Sequence, residues 1–259
     1  MRLPAHFVSH GSPLHALQAG AAGQAWSAIG AALRDARAVI VVTAHWETER
    51  PMLSAHANPP MIYDFSGFPE PLYRIRYAAP GAPDVAQAAR TCLAAAGIEA
   101  ALDGCRGFDH GTWVPMRLVF ADAKRPIVQL SVQPSRDPAH HLAVGRALAP
   151  LCADGVAVVA SGHLTHNLRD WMRPTPGAVE AAAAFQEWVY ARICDHDVEA
   201  LTAYRQRAPG AVRAHPSEEH FLPLFVALGA SGFSMGSPVE RLYAGFEGGV
   251  LAMDAYRFH

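Results

Sequence analysis

Four short apolar, β-rich runs constrain the fold of this chain more than any other feature: Ala5 to Val8, Ala38 to Thr43, Ile127 to Val132 and Val156 to Ala160. They have the length and composition of buried strands, and each is followed at once by polar or glycine-containing sequence. Between them lie alanine-rich stretches of helical period, including Gln24 to Ala36, Pro83 to Ala96, Pro138 to Leu151 and Val179 to Asp195. Strands alternating with helices predict an α/β fold: three αβα layers around a central sheet that is largely parallel or mixed.

The segment from Asn58 to Pro83 has five prolines before that helix begins, together with Tyr63, Phe65, Phe68, Tyr73 and Tyr77. So many aromatics predict a long ordered loop rather than a flexible linker. No repeat or break in composition divides the chain, so residues 1–259 are expected to form a single domain. Hydrophobic residues make up 51% and charged residues 17%, which places the chain among globular proteins.

The net charge is −2 and the lysines and arginines are scattered, leaving no basic stripe for a nucleic acid or an anionic membrane. Cys92, Cys105, Cys152 and Cys194 lack the spacing of a zinc knuckle or disulfide framework and are expected to be buried free thiols. With no long apolar leader and no run of about 18 apolar residues, the expected location is the cytoplasm.

Histidine is the unusual component, at 14 residues. Imidazole is the commonest metal ligand, and open α/β sheets bind ligands beyond the carboxyl ends of their strands. His10, His45, His163 and His166 all follow predicted strands. His110 lies in a predicted loop, and His220 at a predicted helix start where Ser217 would be the N-cap and Glu218 and Glu219 would favour the helix dipole. Strand-end histidines from distant segments can converge on one point, which predicts a metal site. His15, His56, His140, His141, His196 and His259 are read as ordinary hydrogen-bonded residues. There is no G-x-S-x-G elbow, Walker phosphate loop or G-x-G-x-x-G.

These segments, taken in order, resemble the class III extradiol dioxygenases of the DOPA 4,5-dioxygenase type, related to the protocatechuate 4,5-dioxygenase catalytic subunit. The resemblance is carried by His10-Gly11-Ser12-Pro13, Ala44-His45-Trp46, Tyr63-Asp64-Phe65-Ser66-Gly67-Phe68-Pro69 and Phe108-Asp109-His110-Gly111-Thr112-Trp113, then by Ser161-Gly162, His166-Asn167-Leu168-Arg169, His215-Pro216 and Glu219-His220. It implies a mononuclear metal held by His10, His45 and His220. His166 would be the acid/base, and His110 would hydrogen-bond the substrate or oxygen. Asp109, Tyr63 and Trp113 are expected to contact the substrate. The implied reaction opens the ring of a catechol with O2 and Fe(II).

One departure matters. Non-haem iron oxygenases typically use two histidines and a carboxylate, whereas the position resembling the third ligand here is His220. Glu219 is the alternative ligand if the register is off by one, and His163 stands beside the pattern without an assigned role. Three imidazoles also suit Zn(II), so zinc is expected in protein purified in air. A zinc hydrolase using metal-bound hydroxide, or an idle metal-binding homologue, are the competing functions.

Overall fold

The computed structural model describes residues 2–259. Its strands are β1 (Ala5–Ser9), β2 (Ala38–Glu47), β3 (Met52–Ser54), β4 (Ala101–Asp103), β5 (Ile127–Val132), β6 (Val156–Gly162), β7 (Val239–Tyr243), β8 (Phe246–Glu247), β9 (Leu251–Ala252) and β10 (Ala255–Phe258). The helices are α1 (Gly20–Ala32), α2 (Glu70–Arg74), α3 (Pro83–Ala95), α4 (His110–Val119), α5 (Pro138–Ala153), α6 (Leu168–Met172), α7 (Pro176–Cys194), α8 (Val198–Thr202), α9 (Tyr204–Arg207), α10 (Ala211–Ala214) and α11 (Leu222–Ser231).

Eight strands form one mixed sheet in the order β4-β3-β5-β2-β6-β1-β10-β7. The four predicted strands are its parallel centre, β5-β2-β6-β1, while β3, β10 and β7 join through antiparallel pairs. Successive side chains of a strand point to opposite faces. In β2, Ile40 and Val42 enter one core while Val39 and Val41 enter the other. The first core is filled by α3, α5, α7 and α11, and the second by α1 and α4. This is the expected three-layer arrangement.

Helix starts follow local chemistry. Asp137 accepts from the His140 N–H at 2.8 Å to cap α5, and Thr175 caps α7 three residues earlier than the predicted start. Helix α1 lies four residues before its predicted span, because Gly20 to Gly23 continue it backwards while Leu33 to Ala36 form turns. The 58–83 segment is ordered by packing: Tyr63, Phe65 and Tyr73 cluster with Trp113, and the Tyr77 hydroxyl donates to the Phe120 carbonyl at 3.1 Å.

Four local expectations change. His45 lies within β2 rather than after it, and His110 is the first residue of α4, capped by Asp109. Ser217 is not an N-cap: α11 begins at Leu222, and the Ser217 hydroxyl donates to Glu219 at 3.1 Å. All four cysteines are free, but only Cys152 is buried. No helix among the described residues is long and apolar enough to cross a membrane.

Candidate metal centre and active site

At the carboxyl ends of the central strands, the turns after β1 and β6 lie side by side. Ser9 pairs with Gly162, and the His10 N–H donates to the Gly162 carbonyl at 3.0 Å. The turn before α11 is drawn against the same point, since the His163 N–H donates to the His220 carbonyl at 2.7 Å. Two glycines permit the close approach. A Cβ on Gly162 would stand 2.2 Å from the His220 carbonyl oxygen, and one on Gly111 would stand 2.8 Å from both His45 Cδ2 and Thr43 Oγ1.

Three of the converging rings form a nearly regular triangle. Centroid separations are 4.9 Å for His10 and His45, 5.0 Å for His45 and His220, and 5.4 Å for His10 and His220. Imidazoles bound tetrahedrally through nitrogens about 2.0–2.1 Å from one ion have centroids roughly 5 Å apart. His110 and His166 are too close to a neighbour to share that ion with it: 3.9 Å separates His110 from His45, and 3.5 Å separates His166 from His220. Ligand atoms of His10, His45 and His110 lie within 4.8 Å of one another, as do those of His166, Glu219 and His220, so the region is rich in donors beyond the triangle.

Hydrogen bonding orients the triangle. The Ser161 hydroxyl donates to the Gly111 carbonyl, so its lone pair accepts from His10 Nδ1 at 3.1 Å. His45 Nδ1 faces Asp64 Oδ2 at 3.4 Å, and His220 Nδ1 donates to Glu219 Oε1 at 2.8 Å. With Nδ1 protonated in each ring, all three Nε2 atoms present lone pairs. Two of these, on His10 and His45, face each other at 3.0 Å, and that of His220 is buried with no hydrogen-bond partner. Opposed lone pairs and an orphaned buried nitrogen are unfavourable without a cation between them. The residues therefore fit a metal ion.

Burial lowers the pKa of all three, aided by the neighbouring rings; for His45 the value falls to about 3. They are neutral, as ligation requires. Burial, then His110, lowers His166 to about 4. Burial pushes Asp64 up, but hydrogen bonding and charge from His110 outweigh it and bring the carboxyl to about 2. Asp64 is thus an anion between two histidines, with Oδ1 3.0 Å from His110 Nδ1.

A cavity of about 300 Å³ opens over these rings, with His10, His45, His110, His163 and His166 exposed to it and Phe65, Phe68, Leu168, Trp171 and Leu251 among its apolar walls. The segment holding His163 and His166 is not helical, yet both rings reach the cavity. The three residues expected to touch the substrate do not line it. Asp109 is fully buried, accepting from Thr43 at 2.8 Å and Arg106 at 2.8 Å. Trp113 is fully buried beneath Phe65 and donates to the Ile62 carbonyl at 3.2 Å, while the Tyr63 hydroxyl donates to the Ile75 carbonyl at 2.7 Å and faces a separate depression with Arg76. They support the cavity wall instead.

Sequence reasoning did not assign Asp64 or Glu247. Asp64 sat in a quoted motif as a lone carboxylate among aromatics, a usable signal. Glu247 lies in a short two-stranded ribbon, β8 with β9, that no periodicity marked. His15, read as ordinary, pairs with Glu247.

Comparison with known proteins agrees with this architecture. Residues 4–248 match the model of the catalytic LigB subunit of aromatic ring-opening dioxygenase. The chain is 37% identical to 4,5-DOPA dioxygenase extradiol of Beta vulgaris, covering 97% of this chain and 95% of the relative. It is 41% identical to the protein of that name from Portulaca grandiflora, over 86% and 82% of the two chains. A crystal structure of an uncharacterized protein from Escherichia coli K12 superposes with a TM-score of 0.83 at 33% identity, covering 100% of both chains. The chain belongs to the family of the catalytic LigB subunit of aromatic ring-opening dioxygenases. Membership favours ring opening over the hydrolytic reading.

Proposed function

We propose that this chain, acting as one catalytic domain in the cytoplasm, opens the ring of a DOPA-like catechol beside its two hydroxyls, using O2 and an iron(II) ion held by His10, His45 and His220. The convergence of three Nε2 lone pairs, each ring anchored through Nδ1, carries the assignment. The relatives' names supply the substrate class. Held by these three histidines, a redox-active ion would supply the electron transfer between catechol and O2.

The remaining steps fall to the protein's own groups. His166 lines the cavity with its ring stacked on His220, a position from which it can take a catechol hydroxyl proton on binding and return it later. His110, whose backbone N–H donates to Asp64 Oδ1 at 2.9 Å, lines the cavity as a hydrogen-bond partner for the substrate. Phe65 and Phe68, with Trp171 opposite, offer apolar surface for the ring and exclude water. Glu219 holds His220 rather than replacing it, which favours His220 as the ligand.

An all-imidazole donor set also suits zinc, so protein purified in air is expected to carry zinc or an empty site. The test is anaerobic Fe(II) reconstitution followed by a catechol panel with an oxygen electrode and visible spectroscopy. Oxygen uptake with a yellow product supports the reading. No uptake across the panel overturns it.

A further inference from the structure

We propose that Glu247 sets the charge preference of the cavity, favouring catechols whose side chain ends in an amine over those whose side chain ends in a carboxylate. The inference rests on the ring-opening reading and names the substrate end that the metal does not touch. Among the described residues no lysine or arginine lines the cavity, whereas two carboxylates, Asp64 and Glu247, do. Asp64 is committed to His45 and His110. The Glu247 carboxylate has one hydrogen-bond partner among the described residues, His15, which is not itself part of the lining. His15 stands on the turn Pro13–Ala16 and, unlike Glu247, does not line the cavity, so of the two groups the carboxylate is the one a substrate would meet.

The nearby cations are engaged or face elsewhere. Arg106 pairs with Asp109, Arg213 with Asp170, and Arg117 donates to the Ala16 carbonyl at 2.7 Å. Arg76 lies over Tyr63 at the separate depression, and Arg169 is exposed outside. A substrate carboxylate entering here meets two carboxylates and no lysine or arginine, while an amine meets a carboxylate on a hydrogen-bonded ribbon, where Glu247 pairs with Leu251 and its side chain also holds His15. One partly screened charge contact is enough for about a tenfold preference.

The test compares kcat/KM for 4-(2-aminoethyl)catechol, 4-ethylcatechol and 3,4-dihydroxyphenylacetate on the iron-loaded enzyme. Each ratio is taken within one preparation, so differences in loading cancel. The expected order is amine, ethyl, acid, with the amine ahead of the acid by about tenfold or more. Glu247→Gln should compress that ratio, Glu247→Lys should invert it, and high salt should compress it in the unmodified enzyme, which needs no variant to fold. Calorimetry with phenethylamine and phenylacetate reads the same preference without turnover. If ethylcatechol is consumed but amine and acid are equal, or the ratio survives in Glu247→Gln, the role of Glu247 is overturned. If no catechol consumes oxygen, the ring-opening reading fails, and the calorimetric preference still decides the role of Glu247: tighter phenethylamine binding upholds it, equal binding overturns it.

Discussion

The rings of His166 and His220 stack face to face, 3.5 Å between centroids and 15° from parallel. Stacking at that distance prevents both rings from directing lone pairs at one ion, so on the proposed assignment His220 holds the metal and His166 moves the proton. His166→Ala should therefore retain its metal while turnover falls by roughly 10²-fold or more, the scale of general acid–base catalysis. Elemental analysis beside oxygen uptake checks this, and loss of metal in the variant would make His166 a ligand.

Glu219 grips the far nitrogen of His220 and so should act on affinity, not on the number of ligands. Glu219→Gln is expected to weaken metal binding by about 10- to 100-fold, as removal of such partners typically does, whereas His10→Ala, His45→Ala and His220→Ala should each abolish stoichiometric binding. Chelator competition separates the two behaviours. Abolished binding in Glu219→Gln, with His220→Ala retaining its metal, would make Glu219 the ligand.

Gly162 offers a test that leaves every donor in place. Its missing Cβ is the space occupied by the His220 carbonyl, so Gly162→Ala must displace the turn before α11. The expected cost is about 1–3 kcal/mol of stability, with weakened metal binding, read by denaturant unfolding and metal titration. Unchanged values in both would show that the turn adjusts freely.

The His15–Glu247 pair makes a signed prediction about pH. Burial pulls the His15 pKa down, but the hydrogen bond and charge of Glu247 outweigh it and raise the value above the ordinary 6.5. A raised pKa means that the folded state holds the proton more tightly, so the stabilisation is complete below pH 6.5 and is lost as pH climbs through the raised value. The Tm gap between the unmodified protein and His15→Gln should be widest in mild acid and close in alkali. A gap that widens with pH would contradict this.

Metal exchange provides a further check. Protein purified in air should take up no oxygen with catechols, and chelation followed by anaerobic Fe(II) should restore uptake. Activity in the zinc form before exchange would contradict the requirement for a redox-active ion.

The central sheet was legible because its four predicted runs are buried and largely apolar, and His10, His45, His163 and His166 because they follow those runs; His110 and His220 were found through motifs instead. The C-terminal strands were not: β7 to β10 are short, β7 and β8 are partly exposed, and Gly248 and Gly249 interrupt the run, so neither period nor length sets them apart. The substrate contacts failed for a related reason. A motif identifies Asp109, Tyr63 and Trp113 as belonging near the site, but only side-chain direction separates a wall from what braces it. Asp64 and Glu219 act through partners brought close by folding, and residue type alone does not reveal that.

Strand β1, which delivers His10, lies between β6 and β10, and its Ala5 pairs with Phe258. The strand that carries His10 is thus closed on one side by a segment far along the chain. Contacts so distant in sequence are costly to close early in folding, so on the proposed assignment the three histidines should converge only once the sheet is nearly complete, and metal uptake should follow folding rather than guide it.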